Sequence, residues 1–366
     1  MKKNLYTLVV LLILFTLPFW LQDPYYLHIV ITTGLFIVGA MSLNLLLGYT
    51  GQLNLGHIAF FGIGAYVSAL TSLGFDIPAF FGDGRYVVEP GSPFLGFVLA
   101  IVVAGLFGWV VGKLSFKIRG AYFVIVTISF AEVTRLVALN WVDLTQGPLA
   151  LNNIPPMGYN LPFIGSGEFW SKVPNYYLVL ALGVVCYVII RRIVRSRVGR
   201  AMIALRENEP LAVSTGINVT RYLNFAACVS AAMAGAAGSL YAHYIRIIDP
   251  DVFLFIYTVT MVIMVITGGK GTLIGPIIGG IIFGILPVGL REVAGPEIQW
   301  IVYGVAMVLI VMFLPQGIVP AVLRLWDRKF GSGDDTSSQR RKDGDGDAPK
   351  PVPHDGKTLK TRGADA

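Results

Sequence analysis

The chain has 366 residues, of which 55% are hydrophobic and only 13% charged, and its mean hydropathy is +0.70. Soluble domains carry about 25% charged residues, so this composition excludes an ordinary soluble protein and points to the bilayer. The formal charge of +7 lies wholly within residues 1–330, because seven Lys/Arg and seven Asp cancel in residues 331–366. No basic patch interleaved with aromatics accompanies it, which argues against nucleic acid as a partner.

Met1-Lys2-Lys3 and the apolar stretch to about Leu21 resemble a signal peptide, but no small-x-small cleavage site follows. The stretch runs instead into Pro18, Phe19 and Trp20 and reads as an uncleaved first helix. Further apolar spans lie at 25–47, 55–73, 94–112, 121–140, 176–192, 222–244, 251–267, 272–290 and 298–314. Each is long enough to cross a hydrocarbon core of about 30 Å, and backbone in lipid must pair with itself, so each is predicted to be a helix. The expected fold is therefore an all-α integral membrane bundle of about ten transmembrane helices over residues 1–330.

Charge placement orients those spans. With the N-terminus inside, the inner segments carry Lys2 and Lys3, then Lys113, Lys117 and Arg119, then a run from Arg191 to Arg206, then Lys270, and finally Arg324, Arg328 and Lys329. The outer segments hold Arg85, Lys172, Arg246 and Arg291, each with acidic residues nearby, and only the inner segment 48–54 is uncharged. This predicts both termini inside. Residues 74–93 and 141–175, rich in Pro and acidic residues, are expected to be outer loops with room for short lid helices. Residues 331–366 are too polar to bury a core and are expected to be a disordered cytoplasmic tail.

No phosphate-binding loop is present: Gly268-Gly269-Lys270-Gly271-Thr272 lacks the four-residue gap that lets backbone N–H groups wrap a phosphate, and reads as a tight turn. No Ser/His/Asp elbow or paired carboxylates stand out, and no Cys/His cluster suggests a metal. Cys186 and Cys228 sit in apolar runs as small hydrophobes, and His28 and His243 read as packing or interface residues.

The polar segment 191–221, between the sixth and seventh spans, is the most informative. Ala201, Ile203, Ala204 and Leu205 form a partly apolar helix too short to span lipid. Asn208 or Glu209 caps a second short helix with Pro210 in its first turn, and Gly216 is a C-terminal stop. The residues alone leave two readings open: a solvated basic loop that enforces topology, or a surface that inserts into a soluble partner. Two further features stand out. Gly48, Gly51, Gly56, Gly62 and Gly64 permit close helix approach and irregular backbone, with Gln52, Asn54 and His57 as polar groups at span ends; both helix packing and a water-lined path fit them. Glu132 and Arg135 share one helix face at i,i+3, as a structural ion pair or as residues of a pathway.

Three blocks then resemble the branched-chain amino-acid ABC permeases of the LivM type. They are Ser42 to Tyr66 (Ser-Leu-Asn-Leu-Leu-Leu-Gly-Tyr-Thr-Gly-Gln-Leu-Asn-Leu-Gly-His-Ile-Ala-Phe-Phe-Gly-Ile-Gly-Ala-Tyr), Arg119 to Val133, and Gly199 to Asn218 followed by Thr267 to Pro276. The resemblance covers nearly all of residues 28–320. It implies that the short helix pair is the coupling element that contacts ATPase subunits, with Arg200, Arg206, Glu207 and Glu209 as polar contacts and Gly199, Ala212 and Gly216 as close-packing positions. It implies a translocation pathway for hydrophobic amino acids, for which Gln52, Asn54, His57 and Glu132 are the candidates. The implied partners are a second homologous permease, two ATPases that use ATP and Mg, and a periplasmic binding protein in the bacterial inner membrane; this chain itself would bind no cofactor or metal and would not be an enzyme. Relatives that carry urea, amides or other small solutes keep the substrate open, and an ion-coupled secondary transporter is the rival class. One departure occurs where the family shows a Thr-Gly-Gly-Pro-x-Gly-like string. Here it reads Thr145-Gln-Gly-Pro-Leu-Ala150, which is expected to alter that loop.

Overall fold

The computed structural model describes residues 14–21, 23–78, 85–116, 120–161 and 165–291, with scattered positions from 301 to 324. Two compact units divide the chain, Met1–Ala321 and Val322–Ala366; every element below belongs to the first. Of the second, only residues 322 and 324 are described, both helical. The expected disordered tail, 331–366, lies outside the described residues, as do most of the first and last expected spans, although 14–20 are helical.

The helices are α1 (Pro24–Thr50), α2 (Ile58–Leu73), α3 (Pro93–Ser115), α4 (Ala121–Asn140), α5 (Val142–Thr145), α6 (Lys172–Arg195), α7 (Arg197–Glu207), α8 (Glu209–Ser214), α9 (Val219–Ile245), α10 (Phe255–Gly268) and α11 (Gly275–Arg291). Among the described residues, five helices are long and apolar enough to cross a membrane, namely α1, α3, α4, α6 and α9; α2, α10 and α11 are shorter and apolar. Local chemistry starts and stops them. Asp23 caps α1 by accepting from Tyr25 N at 2.8 Å, with Pro24 in the first turn. Ser92 caps α3 in the same way ahead of Pro93. Gly51, at φ 76°, ends α1 in the left-handed region.

The expected span 251–267 begins later than its hydropathy suggests. Pro250–Phe253 form a 3-10 turn, and α10 starts only at Phe255, because Asp249-Pro250-Asp251 supplies acidic groups and a proline that cannot sit inside apolar helix. The all-α expectation also needs correction. The segment 74–93, expected as the first outer loop, contains an antiparallel hairpin of β1 (Phe75–Pro78) and β2 (Arg85–Val88), tied by Arg85 Nε donating to Asp76 at 2.8 Å. The segment 141–175, expected as the second, contains β3 (Gly158–Leu161) paired with β4 (Gly165–Glu168), besides the short helix α5 and a 3-10 turn at Gly147–Leu149. Phe75, Ile77, Tyr86, Val87 and Val88 favour extended backbone, which suits the first of these hairpins.

The centre of the bundle is α9, which packs against α3, α2 and α1. Its seam is made of small residues, Ala227, Ala231, Ala234, Gly235, Gly238 and Ala242, that let backbones approach where no solvent-driven force joins helices in lipid. A Cβ at Gly238 would fall on the carbonyl of Phe61 in α2, and one at Gly64 on the backbone of Gly235. Backbone cannot step aside as a side-chain tip can. Gly238→Val is therefore expected to cost about 3 kcal/mol or more and to lower the amount of folded chain in membranes, read by size-exclusion fluorescence of a tagged chain. An unchanged monodisperse peak would refute this packing.

Two buried polar chains tie the same helices. In one, Ser230 donates to Ser42 O at 2.6 Å, while the Ser42 hydroxyl donates to Gly39 O and lies 2.7 Å from His57 Nε2. In the other, Ser239 donates to Ser68 at 2.7 Å, Ser68 lies 2.8 Å from His243 Nε2, and His243 Nδ1 lies 2.7 Å from Pro155 O. Pro155 O is an acceptor only, so His243 carries its proton on Nδ1 and accepts from Ser68. His243 thus links α2, α9 and the segment at Pro155, the packing role expected of it. Cys186 is buried in the core, Cys228 is partly exposed, and both are free.

Candidate functional site

At the end of the bundle opposite the hairpins, α6 breaks into α7 and α8. Ser196 takes extended backbone, its hydroxyl donates to Ile193 O at 2.6 Å, and its oxygen accepts from Val198 N and Gly199 N to start α7. Gly199 is demanded by the sharpness of this corner: a Cβ there would meet the carbonyls of Ile193 and Val194. Asn208 accepts from Leu211 N at 3.0 Å and starts α8, with Pro210 in the first turn. The helix ends where Gly216 N donates to Val213 O and Ile217 N to Ala212 O, with Gly216 at φ 87°, a Schellman stop. These caps match the ones read from the letters.

The pair is fastened by its apolar side and open on the other. Met202, fully buried, packs with Leu46 of α1, Phe116, Phe123 and Leu223; Ala201, Leu205 and Ala212 are also buried. Leu211 is 61% exposed and Val213 49% exposed, flanked by the exposed Glu207 and Gly216, with Arg200 exposed on α7. A second tie runs from α7 into the membrane helices. Arg206 Nη1 donates to Gly48 O near the end of α1 at 2.6 Å, while its other nitrogens pair with Glu207. Four residues earlier in α1, Asn44 accepts from Gly271 N at 3.0 Å and donates to Thr272 O at 2.8 Å. Thr272 in turn caps α11 by accepting from Gly275 N. The α10–α11 turn, the end of α1 and α7 are therefore tied into one junction. Arg206 and Glu207, expected as contacts to another subunit, are paired here within the chain. Asn44 and Thr272 escaped the sequence reading; a lone Asn inside an apolar span was the available signal, since amides at membrane depth find a partner.

The expected pathway residues divide by accessibility. Asn54 is buried and its amide oxygen accepts from Gly56 N at 2.9 Å, shaping the turn into α2. His57 is fully buried; because the Ser42 hydroxyl donates to Gly39 O, the ring donates through Nε2–H, and its Nδ1 has no partner. Gln52 is half-buried and Glu132 exposed. Glu132 accepts from Arg135 Nη2 at 2.9 Å and Nε at 3.1 Å, and Arg135 Nη1 lies 3.7 Å from Asp251 in the 3-10 turn before α10. A charged cluster on a membrane-length helix cannot face hydrocarbon without a cost of about 2.5–3.5 kcal/mol per ionised group. The same outward face of α4 also exposes Ile125, Val133 and Val137.

The loop after α4 departs from the family string at two positions, Gln146 and Ala150. Gln146 (φ 58°, ψ 6°) and Ala150 (φ 61°, ψ 152°), which stand where the family string has glycine, both take glycine-type backbone. The loop is held from both sides: Leu151 pairs with Ile248 in both directions, and Thr145 donates to Ala138 O. The strain falls on Gln146 and Ala150. Ala150→Gly is expected to stabilise the chain by about 1 kcal/mol, after the entropy cost of glycine, and to raise its melting temperature. No gain would mean that this backbone is relaxed.

Taken together, a bundle of membrane-length helices with a capped helix pair at one end and an exposed charge cluster on one flank defines a multi-pass membrane protein. The comparisons specify it further. The family described as "Branched-chain amino acid transport system / permease component" matches residues 25–311, and the chain belongs to that family. The chain is 30% identical to the high-affinity branched-chain amino acid transport system permease protein LivM of Salmonella typhimurium and to that of Escherichia coli; each match covers 87% of this chain and 75% of the relative. The Escherichia coli permease protein LivH is 28% identical, over 76% of this chain and 89% of its own length. No solved structure matches.

Proposed function

We propose that this chain forms half of the translocation pathway of an ATP-driven importer of branched-chain amino acids in the bacterial inner membrane. In this reading it has about ten transmembrane helices with both termini cytoplasmic, pairs with a second homologous permease, and receives substrate from a periplasmic binding protein. Two cytoplasmic ATPases, which use ATP and Mg, grip α7 and α8. The observation that carries the reading is the helix pair: one side is locked to α1 and the α10–α11 turn by Arg206, Met202 and Asn44, and the other presents Leu211 and Val213 to solvent. An apolar tip on a rigid lever suits a partner that moves, and a topology-enforcing loop needs neither cap nor anchor. Gln52 and the Glu132–Arg135 pair line the path, and the exposed face of α4 meets the second permease. His57 and Asn54 act from inside the bundle, holding the turn into α2.

Reconstitution tests this directly. The chain, its sister permease, the ATPases and the binding protein in proteoliposomes should import leucine, isoleucine and valine only with ATP inside the reach of the ATPases. Uptake of urea or amides in preference would move the substrate class, and uptake by this chain alone on an ion gradient would overturn the reading.

A further inference from the structure

At the hairpin end of the bundle, the start of α1, the start of α6, the end of α9 and residues Pro156, Phe169 and Trp170 line an open cavity of 470 Å³. It is unlike the rest of the apolar bundle in what lines it: Lys172, Arg246, His28, Tyr244 and Asn175, with no carboxylate among the described residues. Their fixed partners leave donors over. Lys172 Nζ donates once, to Pro24 O at 2.8 Å. Arg246 Nε donates to Ile154 O at 3.0 Å and its guanidinium lies over Trp170, 4.5 Å from the ring centre, while Nη1 and Nη2 have no hydrogen-bond partner among the described residues. His28 pairs through Nδ1 with the Tyr244 hydroxyl at 2.7 Å, leaving Nε2 as the open ring atom. Asn175 is spent on Phe169 O and Ser171 O, so it shapes the wall and offers no donor. The described carboxylate nearest in sequence to this end of α1, Asp23, is committed to capping.

Two fixed cationic groups and an imidazole, drawn from three helices and converging on one cavity without an acid, form an arrangement that one multi-oxygen anion satisfies and water does so less well. The level is also telling. Tyr25, Tyr26 and Trp170 are exposed around this end, as aromatics are at a membrane–water boundary, where phosphates of lipids lie. We infer that this cavity binds a phosphate-type anion through Lys172, Arg246 and His28, either the headgroup of an anionic phospholipid or a soluble phosphate ester.

Native mass spectrometry of the full-length chain, purified with its bound partners in neutral detergent, tests this with three probes. Dioleoylphosphatidylglycerol should leave more adducts than dioleoylphosphatidylcholine. Lys172→Gln and Arg246→Gln should each reduce that excess about fivefold, whereas Lys113→Gln, a lysine stacked on Trp109 elsewhere on the chain, should not. Glycerol 3-phosphate separates the sources. If it binds without lipid and is lost in the same variants, the ligand is a soluble phosphate; if only the lipid binds, it is a headgroup. Equal adducts from the two lipids with no glycerol 3-phosphate bound, or an excess unchanged in both Lys172→Gln and Arg246→Gln, would overturn the site. Arg246→Gln also removes the tie to Ile154, so Lys172→Gln, whose side chain holds only Pro24 O, is the cleaner reading if the former fails to fold.

Discussion

Replacing Leu211 and Val213 together by Asp should abolish ATP-driven uptake while leaving the chain folded in the membrane. Both side chains project from α8 into solvent, and neither belongs to the cluster that holds the pair to the bundle, so their loss removes no internal packing. In contact with a partner each would bury an apolar side chain worth about 1.5–3 kcal/mol, and an Asp left unpaired in that contact adds a desolvation penalty. Association with the ATPases should therefore weaken by more than about a hundredfold. Co-purification of the ATPases with a tagged chain reads the association, and leucine uptake reads the consequence. Retained ATPase with normal uptake would remove α8 as the contact. Ala212→Leu is the contrasting variant: Ala212 is buried, so this change should disturb the helix pair itself and lower folded yield.

The second large effect is expected at the charge cluster on α4. Arg135→Gln leaves Glu132 and Asp251 as two acids without the cation that bridges them. Uptake should fall by about tenfold or more. The double variant Glu132→Gln with Arg135→Gln separates the two roles open to the pair. If it restores both folded yield and uptake, the charges are structural. If it restores folded yield but uptake stays low, they meet the solute on its way, which is the outcome expected from their exposure.

Much of the scaffold was legible in the letters because lipid imposes a simple rule. A segment without water must satisfy its own backbone, so eight of the expected spans coincide with helices α1 to α4, α6 and α9 to α11, displaced by a few residues at most ends. The caps of α7 and α8 were legible for a similar reason: Asn208, Pro210 and Gly216 act through the backbone within a few residues of themselves. The hairpins were not. Four-residue strands depend on which other segment lies alongside, and a loop's composition does not say that.

The site was legible in part. Arg206 stood out by its charge, but its partner, the carbonyl of Gly48, is 158 positions away, and any exposed carbonyl would serve a guanidinium equally well. Asn44 reaches the backbone at Gly271 and Thr272 across 227 and 228 positions by the same logic. His57 illustrates the converse. Its position at the start of a span suggested access to a path, but the neighbouring Ser42, Phe60 and Thr258 close over that turn, and burial is a property of neighbours.

Returning to composition and chain order, the residues by themselves determined a membrane bundle, the places where its helices begin and end, and a short capped pair between two spans. Each of these follows from hydrophobicity and from hydrogen bonds within one turn of helix. Only the tertiary structure decided that the pair is clamped to α1 and to the α10–α11 turn, that Glu132 stays open while His57 is sealed, and that Lys172, Arg246 and His28 converge on one cavity. Those outcomes depend on contacts between residues far apart in the chain, and polar groups in an apolar bundle take whichever partner the packing of the helices brings within reach.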